Sequence, residues 1–136
     1  MGIIVVGVDS SDTAHEAAAV AARLAVQLGS RLHIVTATDH DGTMQVQGGP
    51  AITAIERAET LVASVASEFR SRVGEVTTAV GDGKPADVIC AEARSQEADL
   101  IVVGNKRTQG ASRILSAVAD RVLSHTPCDV YIANTT

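Results

Sequence analysis

Two kinds of apolar pattern alternate along the chain. The first is a short unbroken run rich in β-branched residues: "IIVVGV" (3–8), "RLHIVTA" (31–37), "EVTTAVG" (75–81), "ADLIVVG" (98–104) and "CDVYIA" (128–133). Continuous Val and Ile, without in-and-out alternation, suits strands covered on both faces. The second pattern steps by three and four. Ala17, Val20, Ala21, Leu24, Ala25 and Leu28 form one such stripe, and Ile52, Ile55, Ala58, Val62, Val65 and Phe69 form another. "ADVICAEARSQ" (86–96) and the set Ile114, Leu115, Val118 and Val122 predict two further helices.

Local signals set the expected boundaries. Thr13 and Glu16 have the spacing of a capping box for the first helix, and Gly29 stops it. Pro50 suits the first turn of the second helix, and Lys84-Pro85 opens the third. Thr126-Pro127 ends the fourth, because the residue before a proline is pushed out of helical conformation. Residues 38–49, "TDHDGTMQVQGG", form the longest stretch without periodicity and are expected to be a mobile loop. Strands alternating with helices predict a doubly wound α/β domain with a five-stranded parallel sheet, and a length of 136 residues fits one domain over 1–136. In such sheets ligands bind beyond the carboxyl ends of the strands, where the strand order reverses.

Composition removes several classes of function. Sixteen acidic against eleven basic side chains give a net charge of −5, which repels a phosphate backbone, and aromatics at 1% leave no stacking platform, so nucleic acid is disfavoured as a partner. No apolar run approaches the ~20 residues of a membrane helix. The start of the chain lacks the pattern of an export signal, and the two cysteines, Cys90 and Cys128, lack the spacing of a disulfide scaffold or a metal site. A cytoplasmic protein with reduced thiols is expected.

The candidate chemistry lies at the strand ends. The first strand runs into "GVDSSD", which is not the dinucleotide fingerprint, and "GDGKPAD" (81–87) lacks the Walker spacing. Asp9 stands where a carboxylate can meet a ribose or a cation, or can serve as a helix cap. After the fourth strand, "GNKRTQGASRILSAV" (104–118) carries glycines into a helix, which is a setting for anions. It is equally a plain strand-to-helix turn. The four histidines show no pairing with Cys or carboxylates along the sequence, and both thiols are expected to be small buried hydrophobes.

Taken together, "VVGVDSS", "GKPADVICAEARSQEADLIVVGNK" and "PCDVYIA" resemble the universal stress protein family over essentially the full length. The resemblance implies an adenine-nucleotide-hydrolase-like, Rossmann-like fold with strand order 3-2-1-4-5. It also implies a homodimer through the C-terminal strand, at Val130 and Ile132. Nucleotide-binding members carry G-x-x-G followed further on by G-S or G-T. On this chain the first glycine is Gly104, the second falls on Arg107, and the closing pair falls on Ser116 and Ala117, followed by Val118. Gly110 matches an additional glycine. By the same resemblance Asp9 meets the ribose and the backbone around Ala37 meets the adenine.

The departures carry a cost. A non-glycine residue in a left-handed backbone costs roughly 1–2 kcal/mol. Losing a hydroxyl donor to a charged oxygen, as at Ala117, costs about 1.5–3 kcal/mol. Ser116 is expected to bring a side chain to where backbone should touch phosphate. Lys106, Arg107 and Arg113 offset part of this with charge-assisted contacts. The expected ligand is ATP or AMP, with or without magnesium, held weakly and without efficient turnover. The alternative is a dimeric interaction protein that has abandoned the pocket. A slow ATPase has least support, because Asp9 is the one candidate base or metal carboxylate.

Overall fold

The computed structural model describes residues 2–38, 53–106 and 115–135. Five strands, β1 (Ile3–Gly7), β2 (Arg31–Thr38), β3 (Val76–Asp82), β4 (Leu100–Lys106) and β5 (Asp129–Thr135), pair in parallel in the order β3-β2-β1-β4-β5. Between them run α1 (Asp12–Leu28), α2 (Ala54–Phe69), α3 (Pro85–Ser95) and α4 (Ala117–His125). The architecture and strand order are those expected. The chain winds outward one way from β1 through β2 to β3, then returns to the other side of β1 for β4 and β5. The reversal therefore lies between β1 and β4.

The strand residues divide between two cores. Ile4, Val6, Leu32, Ile34, Val76 and Val102 meet α1 and α2 on one face, around the fully buried Phe69. Val5, Val35, Ile101 and Val103 meet α3 and α4 on the other. Burial on both faces is the physical reason for the unbroken apolar runs.

Several boundaries differ from expectation. Ser11 caps α1, its Oγ accepting the Ala14 N–H at 3.2 Å, so the Thr13–Glu16 capping box does not form. Helix α1 does stop at Gly29, whose φ of +64° is a left-handed conformation that glycine adopts without strain. Leu28 (60% exposed) and Ile55 (55%) leave their stripes, each in an end turn of its helix. Helix α2 starts on the Thr53 cap, while Pro50, Ile52 and all of the 38–49 loop after Thr38 fall outside the described residues. Helix α3 opens on Lys84-Pro85 as expected, with proline at a position whose N–H would have no helical partner.

The histidines and carboxylates pair across elements that are far apart in sequence. His33, 3% exposed in β2, has its Nε2 2.8 Å from Glu92 Oε1 on α3 and its Nδ1 2.6 Å from Thr77 Oγ1 on β3. His15 on α1 lies 2.9 Å from Glu68 on α2. Both pairs join different elements at separations of 53 and 59 positions, so no local spacing in the sequence shows them.

Candidate functional site

A cleft of about 260 Å³ opens at the carboxyl ends of β1 and β4, where the strand order reverses. Its floor and walls come from Gly7 at the end of β1, Val8 and Asp9 just after it, Val35 to Ala37 near the end of β2, and Val103 and Gly104 in β4. Pro85, Val88 and Ile89 of α3 close one side, and Lys106, Ser116 and Val118 line the rim. Of the candidate residues, Asp9, Ala37, Gly104, Ser116 and Val118 come together here. Ala117 forms the first position of α4, beside Ser116 and Val118. Arg107 and Gly110, together with Arg113, fall outside the described residues.

Asp9 is not a helix cap in the usual sense. Its Oδ1 accepts the N–H of Ser11 at 2.7 Å, and Ser11 in turn caps α1. The carboxylate thus steadies the turn from β1 into α1 and keeps a second oxygen for other partners.

Ala37 owes its position to the alternation of a parallel ladder. Arg31 donates to Gly2, and Val35 accepts from Val8 at 2.8 Å, so the odd-numbered residues of β2 present their backbone groups to β1. Leu32 and Thr38 bond the other way, toward the β3 side. Ala37 is the next residue on the β1 side, but β1 has already ended at Gly7. The Val8 carbonyl, which would meet the Ala37 N–H, instead accepts the Thr36 hydroxyl at 2.7 Å. Ala37 therefore has an N–H donor and a C=O acceptor without a partner among the described residues, at the edge of the cleft.

The rim after β4 is tied in a way that the sequence did not reveal. Asn105 Oδ1 accepts the Ser116 N–H at 2.8 Å, and Ser116 Oγ accepts the Ala119 N–H at 3.1 Å. The Ser116 side chain is thereby turned onto its own helix as the N-cap of α4. Its hydroxyl hydrogen is still free to donate. The N–H groups of Ala117 and Val118, in the first turn of α4, have no partner among the described residues.

Gly104 lies in the cleft wall for a reason unlike the one expected. A Cβ built on it would stand 2.9 Å from the Thr13 carbonyl oxygen and 3.2 Å from the Ala17 Cβ. It is thus the seat of α1 on the sheet. Helix α3 is held to α4 by Arg121 Nε, 2.9 Å from Asp87 Oδ1, and the hydrogen bond from that guanidinium holds the Asp87 carboxyl below its ordinary range. Thr36, the α3 wall and Asn105 escaped the sequence reading. For Asn105 the available signal is a lone amide side chain directly after the glycine that ends the apolar run.

Comparison with known proteins agrees with this fold. The chain matches the model of the universal stress protein family over residues 1–134. It is 29% identical over 138 residues to a universal stress protein of Methanocaldococcus jannaschii, covering 95% of this chain and 79% of the relative. Among solved structures it is similar to a universal stress protein in complex with cAMP, at 25% identity and a TM-score of 0.73, covering 99% of this chain and 98% of the other. It is also similar to the universal stress protein UspA from Lactobacillus plantarum, at 26% identity and a TM-score of 0.69, with 97% of each chain covered.

Proposed function

The chain belongs to the universal stress protein family, and from that premise we propose that it is a regulatory protein of the stress response that holds an adenine nucleotide, ATP or AMP, in the β1–β4 cleft without efficient turnover. The observation that carries this reading is the unpaired backbone edge of Ala37. An N–H and a C=O side by side on an apolar wall match a flat heterocycle that presents an acceptor beside an amino donor, as the adenine edge does. The apolar side chains of Val35, Val88, Ile89, Val103 and Val118 line the same space. Binding of cAMP by a relative that covers nearly the whole chain supports the same ligand class.

The remaining groups fit the rest of a nucleotide. The free oxygen of Asp9 would accept from ribose hydroxyls. The Ala117 and Val118 N–H groups, the Ser116 hydroxyl and Lys106 would meet phosphate at the positive end of α4. Asp9 is the one carboxylate among the described residues that line the cleft, and Ser11 already engages one of its oxygens, so these residues hold little for activating water. A bound Mg²⁺ would neutralise phosphate charge. The protein is further proposed to act as one cytoplasmic unit, paired with a second copy along β5.

Absorbance of the protein as purified gives the first test. With no Trp and one Tyr, the chain absorbs weakly near 280 nm, so a retained adenylate dominates the spectrum near 260 nm. Calorimetry with ATP and AMP gives the second. Asp9→Asn keeps the acceptor for Ser11 but loses the charge toward ribose, and it should weaken binding about tenfold or more. Absence of heat at millimolar nucleotide would leave the alternative reading, an interaction protein working through β5. That reading is favoured by Tyr131, an aromatic ring left 40% exposed on that edge strand.

A further inference from the structure

The bond between Asn105 and Ser116 joins the end of a strand to the cap of a helix 11 positions later. Along β4 the side chains alternate, with Gly104 facing α1 and Val103 facing the α3–α4 core, so Asn105 lies on the α4 side of the sheet. There its amide oxygen takes the backbone N–H of the α4 cap, the residue that sets where α4 begins. Lys106 and Gly104, the neighbours of Asn105, line the cleft, as do Ser116 and Val118.

We propose that Asn105 is a positioning residue for the phosphate end of the ligand. Without touching the nucleotide, it pins the α4 cap to the end of β4 so that the Ala117 and Val118 N–H groups stand at the rim of the cleft. This rests on the adenine-nucleotide reading above. A helix fixed only by its packing on the α3–α4 core keeps a rotational and sliding freedom that a hydrogen bond at its cap removes. Donors already in position spare the ligand the ordering cost on binding. The adenine and ribose groups, Ala37 and Asp9, sit on other elements and do not depend on this bond. The effect of Asn105 should therefore depend on whether the ligand carries phosphate.

The test compares AMP with adenosine by calorimetry on the full chain. Asn105→Ala should weaken AMP by about tenfold, the worth of a lost hydrogen bond, while adenosine changes by less than about twofold. Amide hydrogen exchange should show the Ser116 N–H losing protection. Asn105→Asp keeps the acceptor and so restores that protection, but its charge repels phosphate. Its deficit for AMP should largely disappear at about 1 M salt, where screening reaches ~3 Å, while that of the alanine variant persists. Equal weakening of AMP and adenosine in Asn105→Ala would make the bond a general fold contact and overturn the proposal, as would AMP affinity unchanged in a variant with an unprotected Ser116. If Asn105→Ala does not fold, a salt-insensitive AMP deficit in Asn105→Asp overturns it instead. Wild-type protein that binds neither ligand overturns the nucleotide reading itself, and this proposal with it.

Discussion

Helix α1 rests on the sheet where Gly104 has no side chain, its Thr13 carbonyl oxygen 2.9 Å from where a Cβ would be. The neighbour is backbone of a helix whose start is pinned by Ser11 and Asp9, so it cannot yield as a flexible side chain would. The glycine that the family motif assigns to phosphate is therefore first a packing residue.

Gly104→Ala should accordingly destabilise the protein by about 1–3 kcal/mol through overpacking. Urea unfolding measures this without any nucleotide present. A variant as stable as the wild type would show that α1 can shift at no cost.

Glu92→Ala should remove a partner from a buried ring. A carboxylate only accepts, so the His33 Nε2 opposite it carries the hydrogen, and in the neutral ring Nδ1 accepts from the Thr77 hydroxyl. Leaving that N–H unpaired costs about 1–3 kcal/mol, whereas Glu92→Gln keeps an acceptor and should cost less. Comparing the denaturation midpoints of the two variants checks the order.

Stability should fall at the alkaline end. Burial pushes the Cys90 thiol above its ordinary value, and it does the same to Cys128. The folded state thus holds these protons more tightly than the unfolded chain. The stability they support is complete below the ordinary thiol range and is lost as pH rises through the raised values. Thermal melts between neutral and alkaline pH should show the decline, and Cys90→Ala with Cys128→Ala should flatten it. At neutral pH Cys90, fully inside the α3–α4 core, should resist thiol reagents until the protein unfolds.

Acid acts in the opposite direction on Asp87. Its carboxyl is depressed chiefly by the hydrogen bond from Arg121, so its contribution is present above the ordinary carboxylate range and lost as pH falls through the lowered value. The pair is exposed, and Arg121→Ala should change the acid limb of the stability curve only slightly.

Light scattering should give twice the chain mass of 14.0 kDa at micromolar concentration. The outer edge of β5 has no strand beside it in the sheet order, and an open edge of seven residues invites pairing. Val130 and Ile132 pack partly against the α3–α4 core, so Tyr131 is the apolar residue that β5 leaves most open. Tyr131→Lys should shift the protein toward monomer.

What could be read without coordinates was whatever has a period or a local chemical signal. Unbroken Val and Ile runs identified the strands, because a strand covered on both faces has no polar side to show. Pro85, Gly29 and Thr126-Pro127 marked helix ends, because each acts on its own backbone. The family resemblance then placed Asp9, Ala37, Gly104, Ser116 and Val118 in one region, and they do line one cleft. The expected capping box failed, because Ser11 offered a competing cap two residues earlier.

The rest depended on which groups the fold left paired. Ala37 has nothing distinctive as a residue type. Its unpaired N–H and C=O exist because β1 ends early and Thr36 takes the Val8 carbonyl. Ser116 caps α4 because Asn105 lies across from it, and Gly104 is needed because α1 crosses there. The linear chain determined the elements and their order, since those follow from local periodicity and burial. The availability of each donor and acceptor was decided only in three dimensions, since a hydrogen bond between residues far apart leaves no mark on the sequence beside either one.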